Sequence, residues 1–261
     1  MSEDMIPESI WKALNGFKEI GLEELPRENL MERIDRKYIV SISEIGSFLK
    51  GLEGHYRIVK AAGSVVAPYQ SVYLDTDDFK YFNEHRRGFA NRVKVRYRTY
   101  PKTDTTFLEL KKKNNKGRTS KMRIPLNDLH FPLKENSIEF LSQLIPATEV
   151  MKLRESVEVE YDRLGFIAND LEERFSVDFD LRANYKGKKV FFGDLAIIEV
   201  KQDRYELSPV IRQLREKGIR EASMSKYCMA LSLLKPGLKS NIFKPSLHRI
   251  RKIDKETVYE N

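Results

Sequence analysis

A single cysteine, Cys228, stands in 261 residues. It permits no internal disulfide and cannot alone build a structural zinc site, which fits a reducing compartment. Histidine is scarce too: His55, His85, His130 and His248 are scattered without ligand spacing. No apolar run exceeds the five residues Tyr227–Leu231, far short of the roughly 20 that a spanning helix needs. The opening MSEDMIPESI has neither a basic start nor an apolar signal core, so a soluble, cytoplasmic protein is expected. A GxxxxGK[ST] loop is missing, so a nucleotide would not be held in the P-loop manner. Collagen-like, coiled-coil and solenoid repeats are absent as well.

What is present is charge, unevenly placed. The chain carries 47 Lys and Arg against 39 Asp and Glu, a net +8, with a pI near 9.3. Residues 86–123 hold fourteen of those bases and only two acids, Asp104 and Glu109, leaving 33 bases against 37 acids elsewhere. One +12 segment makes a −4 body basic, which points to an anionic partner for that segment. With 41% apolar residues the chain is also able to bury a sizeable core.

Hydrophobic periodicity gives the organisation. Pro7 to Leu25 reads as an amphipathic helix, and residues 1–28 are taken as an N-terminal accessory helix. A strand at 33–40 and a helix capped by Ser43 follow, then a strand at 70–76 and a short helix over 77–82. Clear alternation marks strands at 92–100, 106–113 and 119–125, separated by PKTDT and NNKG. Helical pieces at 137–144 and 148–153 precede strands at 156–163, 174–182, 189–192 and 195–203. Ser208-Pro209 opens a helix that Gly218 closes, and a last helix starts at Ser225 with Tyr227, Cys228, Leu231 and Leu234 buried. Residues 236–261 read as a basic, solvated, poorly ordered tail. The fold class is α+β: eight antiparallel strands forming a barrel, with helices packed outside, over 29–235.

Side-chain parity carries the functional argument. In RVKVRYR, Arg92, Lys94, Arg96 and Arg98 share one face, opposite Val93, Val95 and Tyr97. In FLELKKK the charged side is Glu109, Lys111 and Lys113; in TSKMRIP it is Lys121 and Arg123. RFSVDFDLR aligns Arg174, Asp178, Asp180 and Arg182, LAIIEVK aligns Glu199 and Lys201, and RIDRK aligns Arg33, Asp35 and Lys37. On an outer sheet face, some seven stacked cations without interleaved acids would repel one another. Curled into a barrel, the same strands enclose a cationic lumen that binds a polyanion through charge-assisted hydrogen bonds.

The basic face carries no aromatic platform, since Tyr97 points away and Phe89, Tyr100 and Phe107 sit at strand ends or on faces the alternation does not fix, which argues against single-stranded nucleic acid. Carboxylates among the cations make sense if a divalent metal bridges protein to phosphate oxygens. Glu199, Glu109, Asp178 and Asp180 are the metal candidates.

The ordered series DRKYIV (35–40), SVYLDT (71–76), NRVKVRYRTY (91–100), FLELKKK (107–113), SKMRIP (120–125), YDRLGF (161–166), RFSVDFDLR (174–182), IIEVK (197–201) and SMSKY (223–227) resembles the VTC domain. This is the polyphosphate polymerase domain of the vacuolar transporter chaperone family, within the triphosphate tunnel metalloenzymes. The resemblance implies an eight-stranded antiparallel tunnel holding the triphosphate of ATP and a polyphosphate chain, with Mn²⁺ or Mg²⁺ at a carboxylate. It implies phosphate-binding roles for Lys37, Arg96, Arg98, Lys111, Lys121, Arg163 and Lys226, and a metal role for Glu199. Arg92, Lys94, Arg123, Arg174, Arg182 and Lys201 are further phosphate-binding candidates. The CYTH relatives carry ExExK on the first strand, where this chain has Arg33, Asp35 and Lys37. Arg163 shares parity with Val157, Val159 and Tyr161, so either a bulge intervenes or it points elsewhere. Arg86, Arg87 and Arg92 compete for one further place in the tunnel.

The implied reaction is transfer of the ATP γ-phosphate to phosphate or polyphosphate. The alternatives are hydrolysis of tripolyphosphate or a nucleoside triphosphate, and a binding-only module for polyphosphate or inositol phosphates. ATP, phosphate and polyphosphate are the expected partners, nucleic acid is not, and any membrane association would come through a separate membrane protein.

Overall fold

A computed structural model describes residues 6–25, 34–115, 119–127, 132–222, 225–254 and 258–260. Among these residues the chain forms α1 (Glu8–Leu14), β1 (Lys18–Gly21), β2 (Ile34–Ser41), α2 (Ile42–Lys50), β3 (Tyr56–Lys60), β4 (Val66–Thr76) and α3 (Lys80–Arg86). Next come β5 (Arg92–Tyr100), β6 (Thr105–Lys113), β7 (Thr119–Leu126), α4 (Glu135–Ser142), α5 (Ala147–Val150), β8 (Leu153–Ala168) and β9 (Arg174–Tyr185). The chain ends with β10 (Lys188–Phe192), β11 (Leu195–Gln202), α6 (Pro209–Glu216), α7 (Lys226–Leu234), α8 (Lys244–Ile253) and β12 (Val258–Glu260). Arg33, Ser223 and Met224, named above, lie outside the described residues, as does His130.

Eight strands pair antiparallel in the order β2–β11–β9–β8–β4–β5–β6–β7 and curl into the expected tunnel wall. The wall is an open barrel: among the described residues β2 and β7 are not hydrogen-bonded to each other. β10 and β12 extend the sheet beyond β9, and β3 continues the β4 edge of β8 with β1 beside it.

Alternation decides which face is dry. Val95, Tyr97, Leu108 and Leu110 are buried on the outer side against Leu141, Ile145 and Val150 of the α4–α5 segment and Tyr81 of α3. On the opposite wall Tyr38, Val40, Leu164, Phe166, Val177, Ile198 and Val200 pack under α1, α2 and α6. Each such side chain contributes roughly 1.5–3 kcal/mol by leaving water, so the helices lock the apolar parity outward and leave the charged parity facing inward.

Three readings of the sequence are corrected. The N-terminal segment is helix then strand: α1 stops at Asn15, and β1 pairs parallel with β3. At Gly16 the chain comes so near Glu53 that a Cβ would sit 2.4 Å from its side chain. The cap of α2 is Ser41, two residues before Ser43; its Oγ accepts from Ser43 N at 3.3 Å while Glu44 accepts from Ser41 N at 3.2 Å, a capping box. The tail is folded: α8 buries Leu247 and Ile250, and β12 pairs with β10.

Candidate active site

The tunnel interior has two halves. Along β2 the inward positions run Lys37 then Ile39, and along β11 Glu199 then Ile197 and Leu195. In the apolar half Ile39, Ile197, Leu195, Val157, Val159, Leu181 and Ala183 form one cluster with Tyr227, Cys228, Leu231 and Leu234 of α7, which fills that end. Cys228 is buried there, and burial pushes its thiol up to about 11, as an inert core residue.

The other half is charged, and its carboxylates are clasped by cations. Glu199 accepts from Lys37 Nζ at 2.9 Å and lies 3.6 Å from Arg163 Nη2. Asp178 takes a bidentate fork from Arg163, at 2.5 and 2.8 Å, and a second cation, Lys226. Glu109 takes Arg96 through Nε at 2.9 Å and Nη2 at 2.7 Å, and also Lys121. Burial alone would raise all three carboxyls. The cations overcome it, bringing Glu109 down to about 2, Asp178 below the usual range and Glu199 well below it.

The lysines feel the opposite balance. Burial together with Arg96 and Lys201 pushes Lys111 down to about 7. Burial and Arg96 bring Lys121 to about 8 in spite of Glu109, and Lys94, whose Nζ donates to Ser225 Oγ at 3.0 Å, is also brought to about 8. Lys37 opposes its burial with Glu199 and Asp35 and stays raised. An anion entering this half would meet ammonium and guanidinium groups already stripped of water, where electrostatic contacts are strong.

Tyrosines from β4 and β8 complete the wall and were missed by the parity argument. Arg98 Nη1 donates to Tyr161 Oη at 2.7 Å, and Arg96 Nη1 reaches Tyr73 Oη at 3.3 Å. The Tyr69 and Tyr161 rings stack at 5.2 Å, with the Arg98 and Arg163 guanidiniums 4.8 and 5.0 Å from the Tyr69 centroid. The statement that the basic face holds no aromatics is thus right for β5 and wrong for the tunnel. A signal existed, because Tyr161 shares parity with Arg163 in YDR.

The remaining predicted residues fall in three places. Arg163 lies on the tunnel side together with Val157, Val159 and Tyr161; the carboxylates Glu158 and Glu160 are the ones facing out, opposite Val72 and Gln70. Arg174 and Lys201 pair across β9 and β11 beyond Glu199, at the mouth. Arg92 lies on the tunnel parity at the α7 end, with Nη1 on Phe89 O at 3.1 Å, while Arg86 and Arg87 stay at the end of α3. Arg123 is exposed on β7, its guanidinium 4.3 Å from the Phe107 ring centroid. Asp180 and Arg182 are the correction. Asp180 takes a left-handed φ of 51° where the β8–β9 register shifts, and this exchanges the faces of β9. Arg182 then pairs outside with Asp180 at 2.8 Å, next to Phe191, so neither residue joins the others.

Among the described residues no three Asp, Glu, His or Cys side chains gather as a metal cage. A hard cation can also be held by one carboxylate together with oxygens of a ligand, and Glu199, paired with Lys37 on the tunnel face, is a carboxylate that could supply it.

An antiparallel tunnel with an inward-facing ring of arginines and lysines defines a class of protein that handles phosphate chains. Residues 32–235 match the VTC domain family, and the chain belongs to that family. No curated protein matches the chain in sequence. Among solved structures it is similar to a candidate adenylate cyclase from Vibrio parahaemolyticus, at 13% identity and TM-score 0.45 over 77% of this chain and 98% of that one. A Hippeastrum protein, a candidate adenylyl cyclase with a dominant triphosphatase activity, is 15% identical at TM-score 0.45, covering 77% and 96%. A Pyrococcus horikoshii protein is 14% identical at TM-score 0.44, covering 76% and 98%.

Proposed function

We propose that the protein is a polyphosphate polymerase, moving the γ-phosphate of ATP onto phosphate or the end of a polyphosphate chain. The observation that carries this is the state of the buried carboxylates. Asp178 and Glu109 are each held closely by two cations, so neither is left to orient a water, whereas an anionic acceptor needs no base. Glu199, hydrogen-bonded to Lys37 through one oxygen and 3.6 Å from Arg163 through the other, is the carboxylate with room to share with a metal.

In the reaction an acceptor phosphate oxygen forms a bond to the γ-phosphorus as the bond to the β–γ bridging oxygen breaks, and ADP leaves with that electron pair. A loose, metaphosphate-like transition state needs cations around its equatorial oxygens and an in-line acceptor more than it needs proton transfer. Arg96, Arg98 and Arg163 carry the planar donors that suit phosphate oxygens, with tyrosine rings beside Arg98 and Arg163. A phosphate chain would compete with Glu109 for Arg96 and with Asp178 for Arg163. Lys37, Lys111, Lys121 and Lys226 supply point charges between them. A divalent cation, Mn²⁺ or Mg²⁺, held at Glu199 would add charge neutralisation to the same oxygens.

The test is incubation of pure protein with ATP and Mn²⁺, with products resolved by chain length. Long polyphosphate is the expected result. Free phosphate from tripolyphosphate supports a triphosphatase, for which exposed Asp35 on the tunnel face of β2, opposite Lys201, is the carboxylate available to a water. No turnover in either assay, with phosphate-chain binding kept, overturns both enzymatic readings.

A further inference from the structure

Beyond the family-matched residues 32–235 the chain continues into α8, and that helix is amphipathic in a particular way. Leu247 and Ile250 are buried in the cluster around α7, while Lys244, His248, Arg251 and Lys252, on one helical stripe, are exposed. From Lys235 to Ile253 there are six Lys or Arg and no acid. Next to the start of α8, Phe243 packs on Phe82 at 5.8 Å and on His85 of α3 at 6.0 Å. This contact brings together two ends that each carry an exposed apolar side chain beside exposed cations: Ile242, 58% exposed, before Lys244, and Phe89, 46% exposed, after Arg87. A lone exposed apolar residue needs no explanation. Two of them, bridged by a packed contact and bordered by a cationic stripe without acids, make a surface suited to lipid headgroups and the first layer of acyl chain.

The position of this face in the molecule adds direction. α8 packs on the half of the tunnel that α7 fills, whereas Asp35, Lys201 and Arg174 line the other end. We infer that the α8–α3 face docks on an anionic membrane surface, through Lys244, Arg251 and Lys252 with Ile242 and Phe89 inserted at the interface, so that the charged mouth of the tunnel points away from the bilayer. This goes beyond the proposed reaction and does not depend on it.

Co-sedimentation of the full chain with vesicles tests it, using phosphatidylcholine alone and phosphatidylcholine with about one-third phosphatidylglycerol. The protein is expected to sediment with the anionic vesicles only, and to be released by about 1 M salt, where the Debye length is ~3 Å. A Lys244→Glu, Arg251→Glu, Lys252→Glu variant should bind about a hundredfold or more weakly, since each cation near an anionic surface counts for about fivefold and reversal adds repulsion. The Phe89→Ser, Ile242→Ser variant should bind several-fold more weakly with its salt dependence unchanged, and both variants should keep the turnover of soluble substrate. Failure of the unmodified protein to bind anionic vesicles overturns the inference, as does equal binding to neutral ones. If the charge variant binds vesicles normally but loses affinity for soluble polyphosphate, the face is a product-binding surface and the membrane reading is wrong.

Discussion

The two halves of the tunnel are built from the same strands, one residue pair apart, and they obey different physics. Lys37 and Ile39 are neighbours on one face of β2, as Glu199 and Ile197 are on β11. In the apolar half, side chains meet α7 and are held by burial. In the charged half, three carboxylates are surrounded by cations that offset their burial, and those cations are held in turn by the carboxylates and, for Arg96 and Arg98, by tyrosine hydroxyls. Buried ion pairs seldom add stability over a well-packed apolar core. Their presence here is what the proposed binding of a phosphate chain would call for, at some cost to the empty protein, beside a half held by apolar packing.

Removing one partner should expose this difference most strongly. Asp178→Ala removes the bidentate partner of Arg163, leaving it only the 3.6 Å contact with Glu199, and the carboxylate partner of Lys226 in the interior, which should cost about 3–5 kcal/mol in thermal or denaturant unfolding. A phosphate chain replaces the lost negative charge, so polyphosphate should raise the melting temperature of this variant by more than it raises that of the unmodified protein. An equal or smaller rise would separate Asp178 from the phosphate path.

Leu231→Ala makes the matching cut in the other half. Leu231 is fully buried in the α7 cluster, and its truncation should cost about 2–5 kcal/mol through lost burial and a residual cavity. Polyphosphate should then shift the melting temperature as much as it does in the unmodified protein. Extra rescue would mean that the chain reaches the α7 end.

Lys111→Met sharpens the contrast by pH. Lys111 is pushed down to about 7 by burial and by its neighbours Arg96 and Lys201. Between that value and the ordinary lysine range the unfolded chain binds more protons than the folded one, so stability of the empty protein rises with pH across this window. The variant should be more stable than the unmodified protein at neutral pH, with a shallower rise toward pH ~10, and should bind tripolyphosphate more weakly. Calorimetry in two buffers of different ionisation heat should show proton uptake on tripolyphosphate binding, reduced in the variant.

Much of this was legible in the sequence because strand parity is a strictly local property. The ranges 92–100 and 119–125 return as β5 and β7 almost unchanged, and Arg96, Arg98, Lys111 and Lys121 fall on the inner side together because alternation cannot place them otherwise. Parity says which face, however, and neither how deep along the tunnel nor whether the alternation survives. Depth is set by α7, whose docking depends on contacts far apart in the chain. Alternation fails at Asp180, where one left-handed residue exchanges the faces of β9 and carries Arg182 outward. The Arg163 question came from the opposite error: Val157 and Val159 are apolar yet inward, because the interior below them is apolar too. The tail was misread because its charges are plentiful and its two buried residues, Leu247 and Ile250, are few.

The smallest expected effect falls at the boundary between the halves. Tyr161 has Val159 on one side along β8 and Arg163 on the other; its phenol accepts from Arg98, and Lys226 Nζ lies 4.3 Å from its ring centroid. Burial raises the phenol, but Arg98, Arg163 and Lys226 outweigh it and bring it below the ordinary tyrosine value. Tyr161→Phe keeps the ring stacked on Tyr69 and the cations over it, and loses only the acceptor oxygen. The cost in stability should be about 1 kcal/mol, as for a single hydrogen bond. The difference in phenolate absorbance between the two proteins should titrate with a midpoint below ~10. A midpoint at or above that value would mean that the three cations do not converge on Tyr161, and that the charged half ends higher in the tunnel, at Arg163.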